Sequence, residues 1–196
     1  MKKHLIILSL FFITSCAETI VLGSVATGFF ATRNKSLIDT KKDIIVGAKI
    51  DQQLIKNGLK SPTNKVGVSV DEQRVLLTGL VDDEKIIKKA NELAWKVDDV
   101  KEVIDEIQFD NKKNFFNVTS GYAFDTIITA QIKTKLLFGK NVASPNLTVI
   151  TVNRICYVIG VAKNSAEIEI VNSIIAKTPG VKKVISHIVL SSDKQR

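Results

Sequence analysis

Two stretches of this chain are copies of one another, and a repeat constrains the fold more than any single motif, because one architecture must suit both. Val75-Leu76-Leu77-Thr78-Gly79-Leu80-Val81 corresponds to Cys156-Tyr157-Val158-Ile159-Gly160-Val161-Ala162, an offset of 81 residues. The same offset carries Asp99-Val100-Lys101-Glu102-Val103-Ile104 onto Gly180-Val181-Lys182-Lys183-Val184-Ile185. Upstream, Asp43, Ile45, Ala48, Ile50, Leu54 and Ile55 match Asp125, Ile127, Ala130, Ile132, Leu136 and Leu137 at an offset of 82, so one residue has been absorbed in a loop.

Each copy has the same order of elements. A helix is expected to start near Asp43 or Asp125, with apolar residues four apart such as Ile50 and Leu54, or Ile128, Ile132 and Leu136. Pro62 and Pro145 mark the exit loop. Two β-rich runs follow, Val66 to Val70 with Val75 to Leu80, and Leu147 to Val152 with Ile155 to Val161, joined by polar turns at Asp71-Glu72-Gln73 and Asn153-Arg154. A second helix begins after Gly79 or Gly160, with Asp82 as N-cap in the first copy and Asn164 with Glu167 as a capping box in the second. It ends near Asp98-Asp99 or Pro179-Gly180, and a last strand runs from Val103 to Phe109 or from Val184 to Leu190. The order α-β-β-α-β, in about 70 residues per copy, predicts an α+β fold. It has two tandem modules, each with two helices on one face of a three-stranded sheet, at residues 41–110 and 122–191. The polar linker 111–121 carries two adjacent phenylalanines, Phe115 and Phe116, expected to dock on a module or in the cleft between them.

Ahead of the repeats, residues 1–15 have the make-up of an export signal: Lys2 and Lys3, then an apolar run from Leu5 to Ile13 broken only by Ser9. That run is too short to span a bilayer, which takes about 20 residues. Ile13-Thr14-Ser15-Cys16 resembles a bacterial lipobox, which implies acylation of Cys16. Ala17, rather than Asp, follows the cysteine, and by resemblance to lipoprotein sorting this implies the outer membrane. Residues 16–40 are then a lipidated tether. Its uncharged, small-residue stretch from Ile20 to Ala31 suits either a contact with lipid or protein, or a plain tether.

Little in the folded part suggests chemistry. After Cys16 the remaining cysteine is Cys156, which replaces Val75 of the first copy and so reads as a small core residue. Beyond the signal the one histidine, His187, stands where the first copy has Glu106 and is expected on an exposed strand face. One histidine does not make a His-rich metal site. Asp82-Asp83-Glu84 opens a helix, where carboxylates favourably meet the helix dipole. There is no phosphate-binding glycine loop or nucleophile elbow, so no catalytic residue, cofactor or metal is assigned. Nucleic acid is disfavoured by the export signal despite a formal net charge of +8.

That charge is unevenly placed: Asp39 to Asp110 holds 12 Lys or Arg against 15 Asp or Glu, and Asp125 to Arg196 holds 10 against 4. Lys133, Lys135, Lys140 and Arg154 are candidate phosphate contacts, each worth about 1 kcal/mol near an anionic surface. The opening helix of the second copy shows a further contrast. Beside its core stripe of Ile128, Ile132 and Leu136 runs an uncharged stripe of Phe124, Ile127, Gln131, Thr134 and Phe138. The first copy has Lys42, Ile45, Lys49, Gln52 and Lys56 in those places. An apolar strip flanked by Lys133 and Lys135 suits an interfacial helix whose rings enter the acyl boundary while ammonium groups meet phosphates. The competing expectation is that the strip is covered by the first module or by Phe115 and Phe116.

The glycines Gly79 and Gly160, with Val100 and Val103 or Val181 and Val184, resemble the BON domain. Two such domains behind a lipobox and a small-residue tether resemble the dual-BON outer-membrane lipoproteins, over nearly the whole chain from Cys16 to Leu190. The resemblance implies a non-enzymatic, lipid-anchored protein of a Gram-negative outer membrane, facing the periplasm. It implies binding of anionic phospholipid such as phosphatidylglycerol, mainly through the second domain, and support of the permeability barrier. The lipid-contact residues would then be Phe124, Ile127, Thr134, Phe138, Lys133 and Lys135. Ile127 stands where the family pattern leads one to expect an aromatic residue. The alternative is a protein-interaction or chaperone-like scaffold that receives periplasmic or outer-membrane proteins on the same strip. Metabolic labelling with a palmitate analogue is expected to mark the chain in cells, and Cys16→Ala is expected to abolish the label.

Overall fold

A computed structural model describes residues 37–61, 64–111 and 115–195; the lipobox with Cys16, and the rest of the tether up to residue 36, lie outside these. The first module consists of α1 (Leu37–Lys56), β1 (Lys65–Asp71), β2 (Arg74–Val81), α2 (Glu84–Trp95) and β3 (Glu102–Phe109). The second repeats it as α3 (Phe115–Leu137), β4 (Leu147–Val152), β5 (Ile155–Ala162), α4 (Ser165–Ala176) and β6 (Lys183–Leu190). A short 3-10 turn, Ser144–Asn146, precedes β4, and another, Ser191–Gln195, follows β6. Each sheet is mixed: the hairpin strands are antiparallel, and the last strand lies parallel to the middle one, β2 with β3 and β5 with β6. Parallel neighbours need a long crossover, and α2 and α4 supply it.

The expected order α-β-β-α-β is the observed one, with helices on one face of each sheet. Val75, Leu77 and Val81 of β2 join Val46, Ile50 and Leu54 of α1 and Ala90, Leu93 and Ala94 of α2 in the first core. In the second core, Cys156 and Val158 meet Ile128, Ile132, Leu136, Val171 and Ile175. Each large aliphatic side chain fully buried there contributes roughly 1.5–3 kcal/mol.

Four local expectations are corrected. Asp43 and Asp125 do not start helices: α1 begins at Leu37, and α3 at Phe115, inside the expected linker. Both aspartates are buried and serve the hairpins. Asp43 accepts hydrogen bonds from the backbone N–H of Glu72 and Gln73 at 2.9 and 2.8 Å, and Asp125 from Asn153 and Arg154 at 2.7 and 2.8 Å. Those four turn residues all have positive φ, between 50° and 65°. This is the two-residue turn whose twist suits a hairpin but which usually takes Asn or Gly. A buried carboxylate gathering both N–H groups offsets the conformational cost and leaves neither donor unsatisfied. The first turn is accordingly Glu72-Gln73 alone, since Asp71 pairs with Arg74. The N-cap of α2 is Asp83 rather than Asp82, accepting from Lys85 N–H at 2.9 Å. In α4 half of the expected capping box forms: Asn164 accepts from Glu167 N–H, but the Glu167 carboxylate accepts from Lys163 N–H, one residue before the cap, and from Ala143 N–H.

Gly79 and Gly160 are required by close approach. Each has φ in the range that favours glycine, 145° and 155°. A Cβ at Gly79 would lie 2.0 Å from the Lys65 carbonyl oxygen, and at Gly160 2.1 Å from that of Asn146. Backbone carbonyls cannot step aside cheaply, so Gly79→Ala and Gly160→Ala are each expected to destabilise by about 3 kcal/mol or more. Chemical denaturation of the two variants against the unchanged chain checks this.

Candidate functional site

The strands alternate their side chains between two faces, and the faces turned away from the helices pack on each other. Leu76 of β2 is fully buried with Tyr157 and Ile159 of β5, and Ile104, Ile150, Val152, Ile155 and Ile185 close around them. Polar groups ring this junction. Gln108 donates to the Val152 carbonyl at 3.1 Å and to the Tyr157 hydroxyl at 3.0 Å, and Asn153 donates to Gln108 Oε1. Arg74 holds Glu102 through Nε at 2.6 Å and reaches the His187 carbonyl through Nη1 at 3.0 Å. His187, expected on an exposed face, is instead half-buried, with Nε2 3.0 Å from Glu106 Oε1. Glu106 and His187 occupy equivalent places in the two copies, as do Leu76 and Tyr157. The layers therefore run helices, sheet, sheet, helices, and both helical layers face outward.

This arrangement decides the fate of the α3 strip. Phe124, Ile127 and Phe138 are 63 %, 55 % and 80 % exposed, so the first module does not cover them; the side chains of Phe115 and Phe116 lie outside the described ones. Gln131 and Thr134 are exposed beside them. Leu137, which the comparison of copies passed over, is 61 % exposed and belongs to the same surface. At about 100° per residue the open arc from Lys133 to Lys135 spans roughly 200°. Between those lysines lie Thr126, Leu137, Ala130, Ala123, Thr134, Ile127, Phe138, Gln131 and Phe124, all exposed and none charged. Thr126 and Thr134 donate their hydroxyls to the carbonyls of Tyr122 and Ala130 four residues back, at 2.8 and 3.0 Å. With those hydroxyls already satisfied, the surface is less polar than its composition suggests.

The basic candidates are all exposed but differ in their contacts. Lys135 leans back, its Nζ 3.2 Å from Thr178 Oγ1. Arg154 donates through Nε to the Gly180 carbonyl at 3.1 Å and so braces the hairpin end of the module. Of these four, Lys133 and Lys140 have the freest ammonium groups.

These surfaces belong to the tandem arrangement of one known domain. Residues 43–111 and 124–192 each match the BON domain. The chain belongs to the BON domain family. An uncharacterized protein in the gshII 5′ region of Anaplasma centrale is 35% identical over 154 residues, 79% of this chain and 98% of its own length. The osmotically-inducible protein Y of Escherichia coli is 29% identical over 142 residues, 72% of this chain and 69% of its own. The outer membrane lipoprotein DolP of Haemophilus influenzae is 26% identical over 186 residues, covering 94% of both chains.

Cys156 is buried in the second core, and burial pushes its thiol up to about 12 despite an opposing hydrogen bond with Thr151. A groove of about 490 Å³ runs along the module junction past Lys65, Gly67, Thr78, Tyr122, Ile150 and Val152, and its lining includes neither His nor Cys. Lys65 Nζ stands 4.1 Å from the centre of the Tyr122 ring, a cation–π contact from the first module to α3. Among the described residues no three His, Cys, Asp or Glu side chains group to hold a metal ion, and no helix is long and apolar enough to cross a membrane.

A charge placed in the dry sheet-to-sheet contact would leave an unpaired ion between the modules. Leu76→Glu is therefore expected to uncouple them. Calorimetry should show one melting transition for the unchanged chain and two, the lower shifted down by several degrees, for the variant.

Proposed function

We propose that this BON protein is an outer-membrane lipoprotein, acylated at Cys16 and facing the periplasm, whose second domain contacts anionic phospholipid through α3 and thereby supports outer-membrane integrity. The observation that carries the reading is the uncharged exposed face of α3 between Lys133 and Lys135, with Phe124, Ile127, Leu137 and Phe138 all more than half exposed. A surface of this kind on a folded domain marks a contact with membrane or partner. The neighbouring charge favours the membrane: the second copy carries 10 basic against 4 acidic residues. Rings at Phe124 and Phe138 enter the acyl boundary, Thr134 and Ile127 lie between them, Lys133 stands at the phosphate level on one flank, and Lys135 on the other reaches a phosphate by exchanging its bond to Thr178. The likeness to an outer membrane lipoprotein along 94% of the chain supports the same placement. The role is one of binding and needs no catalysis.

Co-sedimentation of the two-domain chain, from residue 16 with Cys16→Ser, tests the reading. Binding to phosphatidylglycerol vesicles is expected to exceed binding to phosphatidylcholine vesicles, and Phe124→Glu with Phe138→Glu is expected to weaken it more than about tenfold, since each ring buried in lipid contributes roughly 1.5–3 kcal/mol. Equal binding to both vesicles would remove the preference for anionic lipid, and no binding, or binding unchanged by the two glutamates, would take the face from the membrane and leave it to a protein partner.

A further inference from the structure

The helix that opens the first domain also carries an exposed face unlike the rest of that domain. Around α1 at about 100° per residue, the outward arc runs through Ile44, Ile55, Ala48, Lys41, Gln52, Ile45, Lys56, Lys49 and Lys42. All nine are exposed, four are lysines and none is acidic. Ile44, Ile45 and Ile55 are 65 %, 54 % and 62 % exposed. The acidic residues of this helix point elsewhere or are taken: Asp43 is buried on the hairpin turn, Asp51 holds Lys60 Nζ at 2.6 Å, and Asp39 is half-buried. Among the described residues none of the four lysines stands in an ion pair.

We infer that this face of α1 is a second contact surface for an anionic bilayer, independent of the α3 face. Two features choose that occupant. The domain as a whole has more acidic than basic residues, 15 against 12, so its overall charge does not account for a lysine-rich, acid-free arc interspersed with isoleucines. Lysines able to reach phosphates beside aliphatic side chains able to enter the headgroup boundary make an interfacial helix. The second feature is where the chain leads. α1 begins at Leu37, 21 residues after Cys16, so a chain anchored at Cys16 holds this helix within about 70 Å of the bilayer even when fully extended. Such tethering raises the effective concentration of a weak surface. The double sheet puts α1 and α3 in opposite outer layers, so the two faces offer alternative docked poses on one membrane.

The test uses the two-domain chain from residue 16 with Cys16→Ser, and vesicles with or without phosphatidylglycerol. In a background of Phe124→Glu and Phe138→Glu, residual phosphatidylglycerol-dependent binding is expected. Adding Lys42→Gln, Lys49→Gln and Lys56→Gln should reduce it about 100-fold, roughly fivefold per lysine. Arginine at the same three positions should retain it, and Ile44→Ser with Ile55→Ser should reduce it several-fold with every lysine present. The inference is overturned if the α3 variant, folded by circular dichroism, shows no residual binding, or if the residue of binding ignores the lysine changes. Binding unaffected by the α3 changes but lost with the lysines supports α1 and removes the reading of α3 instead.

Discussion

Everything in this molecule follows from the need to cover the second face of a three-stranded sheet. Two helices shield one side of each sheet, and the other side is still apolar: Leu76 in one copy, Tyr157 and Ile159 in the other. Exposed, these would be a liability; pressed together, they become a third small core between the other two. The hydrogen bonds of Gln108, Arg74 and Asn153 fix how the sheets meet, because a dry contact without polar partners can slide. The price of this solution is that the helices are left on the outside. Their outer faces are therefore free for recognition.

The two copies share their mechanical parts and differ in what they display. In both, a buried aspartate from the opening helix holds a two-residue turn in left-handed geometry, and a glycine lets the first strand approach the second. Those contacts serve only the scaffold, and they are duplicated. The outward faces of α1 and α3 bear no such duty, and there one copy carries lysines where the other carries phenylalanines.

Much of this was legible in the chain. The element order followed from periodicity in both copies at once, and the outward strip on α3 followed from setting one copy against the other. The contrast was blind where the copies agree: Ile55 and Leu137 are both aliphatic, so Leu137 did not stand out although it is 61 % exposed. The aspartates misled because a carboxylate before an apolar periodic run is also what a helix start looks like, and only the fold reveals that it faces a turn distant in sequence. His187 misled because its counterpart is also polar; two equivalent polar residues that meet each other look, one at a time, like solvent positions. The junction itself had left a trace in Val75-Leu76-Leu77 and in Cys156-Tyr157-Val158, runs apolar on both faces, the mark of a strand covered on both sides.

The placement of Cys156 has a practical corollary. Its sulfur is wholly enclosed and its proton tightly held, so alkylating reagents can reach it only while the second hydrophobic core is open. The speed at which it is modified is therefore a built-in clock for the breathing of that domain, readable with the thiol already in place there.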